Sequence, residues 1–245
     1  LDAFHPDNPL IIMTGPLAAT PIPAASRWVV CGKSPTIAPE TFLRANLGGF
    51  LGAELKKAGY DGIVIKGRAE SPVYICIDNG KVEIRNAAHL WGRTNTVAQK
   101  LMREELGQDV KLMSIGPAAE QRTRIGTIVT DIAGSGSKGF GSVMGAKNLK
   151  GIAVRGSGSI PVANPEKLHE ILRKVRKMTG EGYMKIYEQL TTPVTKVVRK
   201  VFCYGCSDGC SRTTHRTESG LEGIRKCQTP IFYSRWDKKF HNAVT

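Results

Sequence analysis

Short apolar runs bounded by glycine and proline open the chain. Residues 9–15 (PLIIMTG) and 26–33 (SRWVVCGK) have this pattern, which is typical of buried strands, and residues 16–25 between them predict a loop. The segment 48–59 (GGFLGAELKKAG) predicts a short helix that glycines enter and end, and residues 61–68 then return to a strand. Strands and helices therefore interleave from the start.

A β-hairpin has the clearest local pattern. Apolar residues occupy every second position of 73–77 and again of 82–84, and Asn79-Gly80 between them suits a two-residue turn with positive φ. Residues 95–106 follow as an amphipathic helix with Gly107 as its stop, and residues 110–116 predict another strand. The first part of the chain thus predicts a mixed α and β domain.

A linker of glycine and serine at 156–159 (GSGS) predicts a domain boundary near residue 160. Beyond it, Asn164 can cap a helix with Pro165 in its first turn, and a second helix is predicted over 183–190, before Pro193. The apolar stripe of the first of these helices is Leu168, Ile171, Leu172, Val175 and Met178. We therefore expect one domain at 1–160 and a mainly helical segment at 161–245.

Composition limits the class of protein. The 245 residues are 41% hydrophobic, which is enough for a substantial core. No run approaches the roughly 18 apolar residues of a membrane helix, and the sequence does not open with a basic and then an apolar segment, so we expect a cytoplasmic protein without a membrane span. The net charge of +14 suits anionic cofactors or an acidic partner. Nucleic acid is less favoured, because the basic residues are spread out and no nucleic-acid-binding motif accompanies them.

The cysteines fall into two kinds of environment. Cys31 and Cys76 lie in strand-like runs, where a free thiol behaves as a small buried apolar group. Cys203, Cys206 and Cys210 form a C-x-x-C-x-x-x-C motif. Without a secretory signal, this spacing indicates ligation of a metal or an iron–sulfur cluster and not a disulfide framework.

An iron–sulfur cluster suits this motif better than zinc. Its two short gaps let one turn bring three thiolates around one centre, and Gly205 and Gly209 permit the required backbone conformations. Zinc remains the main alternative, although its usual sites combine two C-x-x-C units or pairs of cysteine and histidine. Cys227 and His215 are candidates for a fourth ligand, and spacing does not choose between them.

Glycine-rich segments offer a second candidate site. Gly48 and Gly49, and the segment 134–141 (GSGSKGFG) with Gly134 and Gly136, allow a ligand to approach the backbone closely. Backbone amides in such segments favour anionic oxygens. Tight turns between strands and helices explain glycines equally well, so these positions are candidates for cofactor binding only.

In its order and spacing of motifs, almost the whole chain resembles the tungsten-containing aldehyde:ferredoxin oxidoreductase family. The matching segments are residues 8–12 (NPLII), 14–17 (TGPL), 26–27 (SR), 45–62 (ANLGGFLGAELKKAGYDG), 82–85 (VEIR), 89–92 (HLWG), 115–118 (IGPA) and 143–150 (VMGAKNLK). The motif at Cys203, Cys206 and Cys210 falls where this family carries three of its four cluster cysteines.

The resemblance implies an α+β fold, in which a layered two-sheet N-terminal domain with short helices forms the base for a tungsten bis-pyranopterin of the molybdopterin type. Arg27 matches an arginine that contacts the pterin and lies between it and a [4Fe-4S] cluster. Asn46 and Gly134 match positions whose carbonyls hold a Mg²⁺ that bridges the pterin phosphates. Residues 132–139 (IAGSGSKG) depart from the family's usual HRAAGRGG, so side-chain contacts to phosphate are expected to differ there.

The resemblance implies an oxidoreductase that interconverts aldehydes and carboxylic acids and passes electrons through the cluster to ferredoxin or an electron-transfer subunit. Family members are longer, so the remainder of the enzyme or a companion chain is expected to supply the fourth cluster ligand and the acid–base groups, within a homo- or hetero-oligomer. No residue of this chain is assigned to acid–base catalysis. Two alternatives stay open: the active-site subunit of a benzoyl-coenzyme A reductase-type complex, and a non-catalytic iron–sulfur or zinc module.

Overall fold

The computed structural model describes residues 1–131, 135–136, 138–178, 196–206, 213–216, 220 and 222–225. The chain divides into two compact units. The first comprises Leu1–Thr20 and Ala25–Pro161, and the second comprises Pro21–Ala24 and Val162–Thr245.

An antiparallel four-stranded sheet forms one layer of the first unit. Its strands are β1 (Leu10–Thr14), β2 (Trp28–Ser34), β3 (Thr41–Leu47) and β4 (Gly62–Ile65), in the spatial order β3-β2-β1-β4. Along β1 and β2 the buried positions alternate with less buried ones, so this sheet has one face on the core and one face toward its surroundings.

A mixed six-stranded sheet forms the other layer. Its strands are β5 (Val73–Asp78), β6 (Lys81–Asn86), β7 (Lys111–Ile115), β8 (Ile128–Thr130), β9 (Ser135–Gly136) and β10 (Leu149–Arg155), in the order β6-β5-β10-β7-β8-β9. The β5–β6 hairpin turns at Asn79 (φ 46°) and Gly80 (φ 88°), as its sequence predicts. β10 runs parallel to β5 and antiparallel to β7 at the centre of the sheet.

Four helices accompany these sheets: α1 (Leu51–Lys57), α2 (Asn95–Leu106), α3 (Pro117–Glu120) and α4 (Phe140–Ala146). The main core joins both sheets with α1 and α4, whereas a second cluster packs α2 on the other face of the six-stranded sheet. β5 serves both, because Ile77 faces the main core and Tyr74 and Cys76 face the second cluster. This double burial explains why β7 and β10 are almost continuously buried.

The second unit contains helix α5 (Pro165–Met178) and an antiparallel sheet of β11 (Lys196–Lys200), β12 (Thr213–Arg216) and β13 (Glu222–Arg225), in the order β11-β12-β13. The Asn164 side chain accepts a hydrogen bond of 2.9 Å from the Lys167 N–H, which confirms the predicted cap. No helix in the described ranges is both long enough and apolar enough to cross a membrane.

The predicted mixture of α and β with two sheets in the first domain is confirmed. The three-stranded sheet of the second unit was not predicted, and the predicted helix at 183–190 lies outside the described residues. The mainly helical character of 161–245 therefore stays a prediction.

Candidate functional site

Two predicted site residues meet on the outer face of the four-stranded sheet, where β2 begins and β3 ends. Arg27 directly precedes β2, and Asn46 lies on β3 opposite Val29. The Arg27 guanidinium donates a hydrogen bond of 3.4 Å from Nη2 to the Asn46 carbonyl oxygen, and both residues are exposed. A bond this long at a surface is weak, so a ligand can replace either partner in it.

The backbone turns away immediately after this contact. Gly48 and Gly49 follow β3 and are buried, and Gly49 has a φ of +98°, a conformation that residues with a Cβ rarely adopt. The Trp28 indole donates a hydrogen bond of 3.1 Å from Nε1 to the Gly48 carbonyl. The turn that carries both predicted glycines is thus tied to the strand that follows Arg27.

A second glycine segment approaches the same strand end. Gly136 lies on β9, which pairs with β8, and a Cβ placed on Gly136 would lie 2.9 Å from the Leu47 methyl groups. The backbone at Gly136 therefore packs directly against the residue that follows Asn46. Gly134 lies outside the described residues, so its predicted role stays a prediction. We name Arg27, Asn46, Gly48, Gly49 and Gly136 the cradle.

Apolar side chains flank the cradle on the same sheet face. Met13, which pairs with Val29 across the sheet, is 42% exposed, and Val64 on β4 is 59% exposed. Cys31 is half-buried on β2, and burial raises the pKa of its thiol, so the thiol is neutral near pH 7. An apolar surface of this kind can support a flat organic group.

The chemistry of the cradle fits a phosphorylated, planar cofactor and its counter-ion. A guanidinium offers planar, charged N–H donors to anionic oxygens or to a heterocycle. An exposed carbonyl oxygen, such as that of Asn46, is a suitable ligand for a hard cation such as Mg²⁺. Glycine backbone at Gly49 leaves no side chain between a ligand and the main chain, whereas the space beside Gly136 is filled by Leu47.

The cysteine motif begins a few residues after β11. Cys203 and Cys206 are half-buried, the Cys206 N–H donates a bond of 3.1 Å to the Cys203 carbonyl, and Gly205 has a φ of 64°. One tight turn therefore carries both cysteines, as expected of a ligand loop. Cys210 lies outside the described residues.

The ligand set of this turn stays a prediction. Among the described residues, no group of three or more histidine, cysteine or acidic side chains is placed to hold a metal ion. Cys227 lies outside them, and His215 falls within β12. The assignment of iron–sulfur over zinc therefore rests on the sequence, namely the spacing of the cysteines and the family resemblance.

Trp28 was not among the residues predicted for the site. It is the largest fully buried side chain of the four-stranded sheet, and its partner Gly48 is 20 residues away. A tryptophan directly after Arg27 was visible in the sequence, but only the fold shows that its indole N–H reaches the glycine turn.

Comparisons with known proteins place the chain in a family. The family model of the aldehyde ferredoxin oxidoreductase N-terminal domain matches residues 1–156. The tungsten-containing aldehyde ferredoxin oxidoreductase of Pyrococcus furiosus is 36% identical over 96% of this chain and 44% of its own length. An aliphatic sulfonate oxidoreductase WOR-like subunit of the same organism is 35% identical over 72% of the chain and 30% of that protein.

A solved structure shows the same likeness. The active site complex BamBC of benzoyl coenzyme A reductase, in complex with 1,5-dienoyl-CoA, contains a chain that superposes with a TM-score of 0.85. That chain is 26% identical, and the match covers 100% of this chain and 45% of the other. The chain thus spans 44% of the Pyrococcus furiosus aldehyde ferredoxin oxidoreductase and 45% of the solved chain, and it belongs to the aldehyde ferredoxin oxidoreductase family.

Proposed function

We propose that this chain forms the cofactor base and part of the electron path of a tungsten oxidoreductase that interconverts aldehydes and carboxylic acids. The observation that carries the proposal is the 36% identity to a tungsten-containing aldehyde ferredoxin oxidoreductase over 96% of the chain. The contact between Arg27 and Asn46 supports it, because two predicted cofactor residues meet on one exposed sheet face.

The cradle would hold a tungsten bis-pyranopterin. Arg27 would bind the pterin with its guanidinium, and the carbonyls of Asn46 and Gly134 would bind a Mg²⁺ between the pterin phosphates. Gly48 and Gly49 would leave room for the phosphates at the backbone, and Gly136 stays a predicted cofactor position that packs on Leu47. The bound cofactor supplies two-electron oxidation and reduction at the metal, and the protein supplies position and electrostatics.

The overall reaction is balanced by electrons that leave the site. An aldehyde and one water give a carboxylic acid, two protons and two electrons. Cys203, Cys206 and Cys210 would hold a [4Fe-4S] cluster that transmits these electrons one at a time. A ferredoxin or an electron-transfer subunit would accept them, and the net charge of +14 favours an acidic partner.

A second candidate is the active-site subunit of a benzoyl-coenzyme A reductase-type complex. The superposition on the BamBC complex over 100% of this chain favours it, and the aldehyde ferredoxin oxidoreductases are the more similar in sequence. Both candidates use the same cradle, so the substrate must distinguish them.

An assay of the complete protein tests the choice. The complete protein is incubated under anaerobic conditions with acetaldehyde or benzaldehyde and with oxidised benzyl viologen. The proposal predicts two reduced viologens for each carboxylate formed. Dienoyl-CoA oxidation by the same preparation, without turnover of any aldehyde, would refute the proposal in favour of the second candidate. The absence of both activities in a tungsten-loaded preparation would refute both.

A further inference from the structure

The Trp28 indole fixes the direction of one peptide group in the cradle. Trp28 is fully buried, pairs with Leu47 in the sheet, and donates 3.1 Å from Nε1 to the Gly48 carbonyl. This hydrogen bond turns the Gly48 carbonyl toward the protein core. The bond is protected from water, so its donor has no alternative partner in solvent.

The direction of the carbonyl also sets the direction of the next N–H. A trans peptide is planar, and its C=O and N–H point to opposite sides. With the Gly48 carbonyl held toward the indole, the Gly49 N–H points away from the indole. Gly49 has a φ of +98°, a conformation that glycine adopts without a steric penalty.

Helix α1 restricts the position of the indole. A Cβ on Gly52, in the first turn of α1, would lie 2.8 Å from Trp28 Cδ1 and 2.9 Å from its Cβ. The helix backbone therefore packs directly on the ring. Trp28 lies on the core face of β2, while the preceding Arg27 is exposed beside Asn46. Two consecutive residues therefore contact the cradle backbone from opposite faces of the sheet, Arg27 from the exposed face and Trp28 from the core face.

We propose that Trp28 is a positioning residue for cofactor binding: its indole N–H holds the Gly48 carbonyl and so orients the Asn46–Gly49 backbone of the cradle toward the cofactor. This inference rests on the proposed function, because it concerns the same cofactor. It assigns to a buried core side chain a role in cofactor retention that its packing alone does not require.

A pair of variants separates positioning from stability. Trp28→Phe keeps a buried ring and removes one N–H donor. Tyr74→Phe is the matched control, because Tyr74 is 1% exposed and its hydroxyl donates 2.9 Å to Glu105, within the cluster beneath α2 and away from the cradle. Each variant loses one hydrogen bond of a buried aromatic residue, and Trp28→Phe also leaves part of the indole volume empty, so its unfolding midpoint should fall further than that of Tyr74→Phe.

Tungsten content per polypeptide is measured on complete holoprotein, produced at limiting tungstate. We expect tungsten occupancy of Trp28→Phe to be about three- to tenfold below that of wild type, and that of Tyr74→Phe to be unchanged. Equal occupancy in the two variants would overturn the positioning role. If Trp28→Phe does not accumulate as folded protein, Gly52→Ala displaces the same ring, and full occupancy in that variant would overturn the role.

The tungsten content of the wild-type protein separates this inference from the proposed function. Wild-type protein that carries no tungsten would refute the cofactor itself, and with it the role of Trp28. Wild-type protein that carries tungsten, together with a fully loaded Trp28→Phe, would refute the role of Trp28 alone.

Discussion

Replacing Lys150 by methionine should cost about 3–5 kcal/mol of unfolding free energy, because it leaves a carboxylate buried without its counter-ion. Lys150 is 0% exposed, and its ammonium donates to the Glu120 carboxylate and, at 2.8 Å, to the Arg93 carbonyl. The Glu120 side chain is 2% exposed, and its other oxygen accepts 2.8 Å from the Gly92 N–H. Burial lowers the pKa of Lys150, and Glu120 opposes that shift, so each charge is stabilised by the other.

The magnitude follows from what each variant leaves behind. Glu120→Gln leaves the Lys150 ammonium in the same enclosed position, and we expect a similar cost of about 3–5 kcal/mol. The double variant Lys150→Met/Glu120→Gln removes both charges and keeps an oxygen for the Gly92 N–H. The unfolding free energy that it loses should therefore be about 3 kcal/mol smaller than the sum of the losses of the two single variants.

Urea unfolding, followed by circular dichroism, measures these differences. Lys174→Met is the control, since Lys174 pairs with Glu170 on the surface of α5 with 69% and 55% of the two side chains exposed. That change should cost at most about 0.5 kcal/mol. A Lys150→Met variant within about 1 kcal/mol of this control, or strict additivity in the double variant, would show that the buried pair does not hold the fold in the way described.

Three further predictions concern charge and the site. Hydrogen bonds from Lys81, and then from Arg85, lower the pKa of Glu83 to about 2 from an ordinary value of 4.5. The contribution of the ionised Glu83 to folding stability is therefore fully present above pH 4.5 and is lost as the pH falls toward 2. Across that range Glu83→Gln should lose less stability than wild type, and parallel curves of stability against pH at low salt would contradict this. Arg27→Ala should slow dye reduction by the complete enzyme about ten- to hundredfold. Its unfolding free energy should stay within about 0.5 kcal/mol of the wild-type value, since Arg27 is exposed. Unchanged rates would refute the assignment of Arg27 to the cofactor site. Cys206→Ser should remove the visible iron–sulfur absorption while pterin remains extractable, and retained absorption would show that another ligand set holds the iron.

Local patterns predicted much of the first unit. The β5–β6 hairpin follows from alternation around Asn79-Gly80, and α2 covers the predicted residues 95–106, with Thr94 as its N-cap. β3 was missed because it is an edge strand whose residues 41, 42, 44 and 46 are exposed, so it lacks an apolar run. α4 was missed because all seven of its residues are buried, which removes the amphipathic stripe.

Some residues of the site could be predicted from the sequence and others could not. Arg27 and Asn46 were predicted from a resemblance, and their meeting across 19 residues needs the β2–β3 register. The role of Trp28 was not visible in the sequence, since no local pattern pairs it with a glycine 20 residues later. The strands of the second unit were missed because KVVRK and TTHR carry charge and little apolar alternation.

Quantitative metal analysis of the complete native protein decides whether this chain holds both a tungsten pterin and thiolate-bound iron, as we propose. We expect about one tungsten and about four irons for each polypeptide, together with extractable pterin. A native preparation with zinc as its only metal, and without pterin, would contradict it.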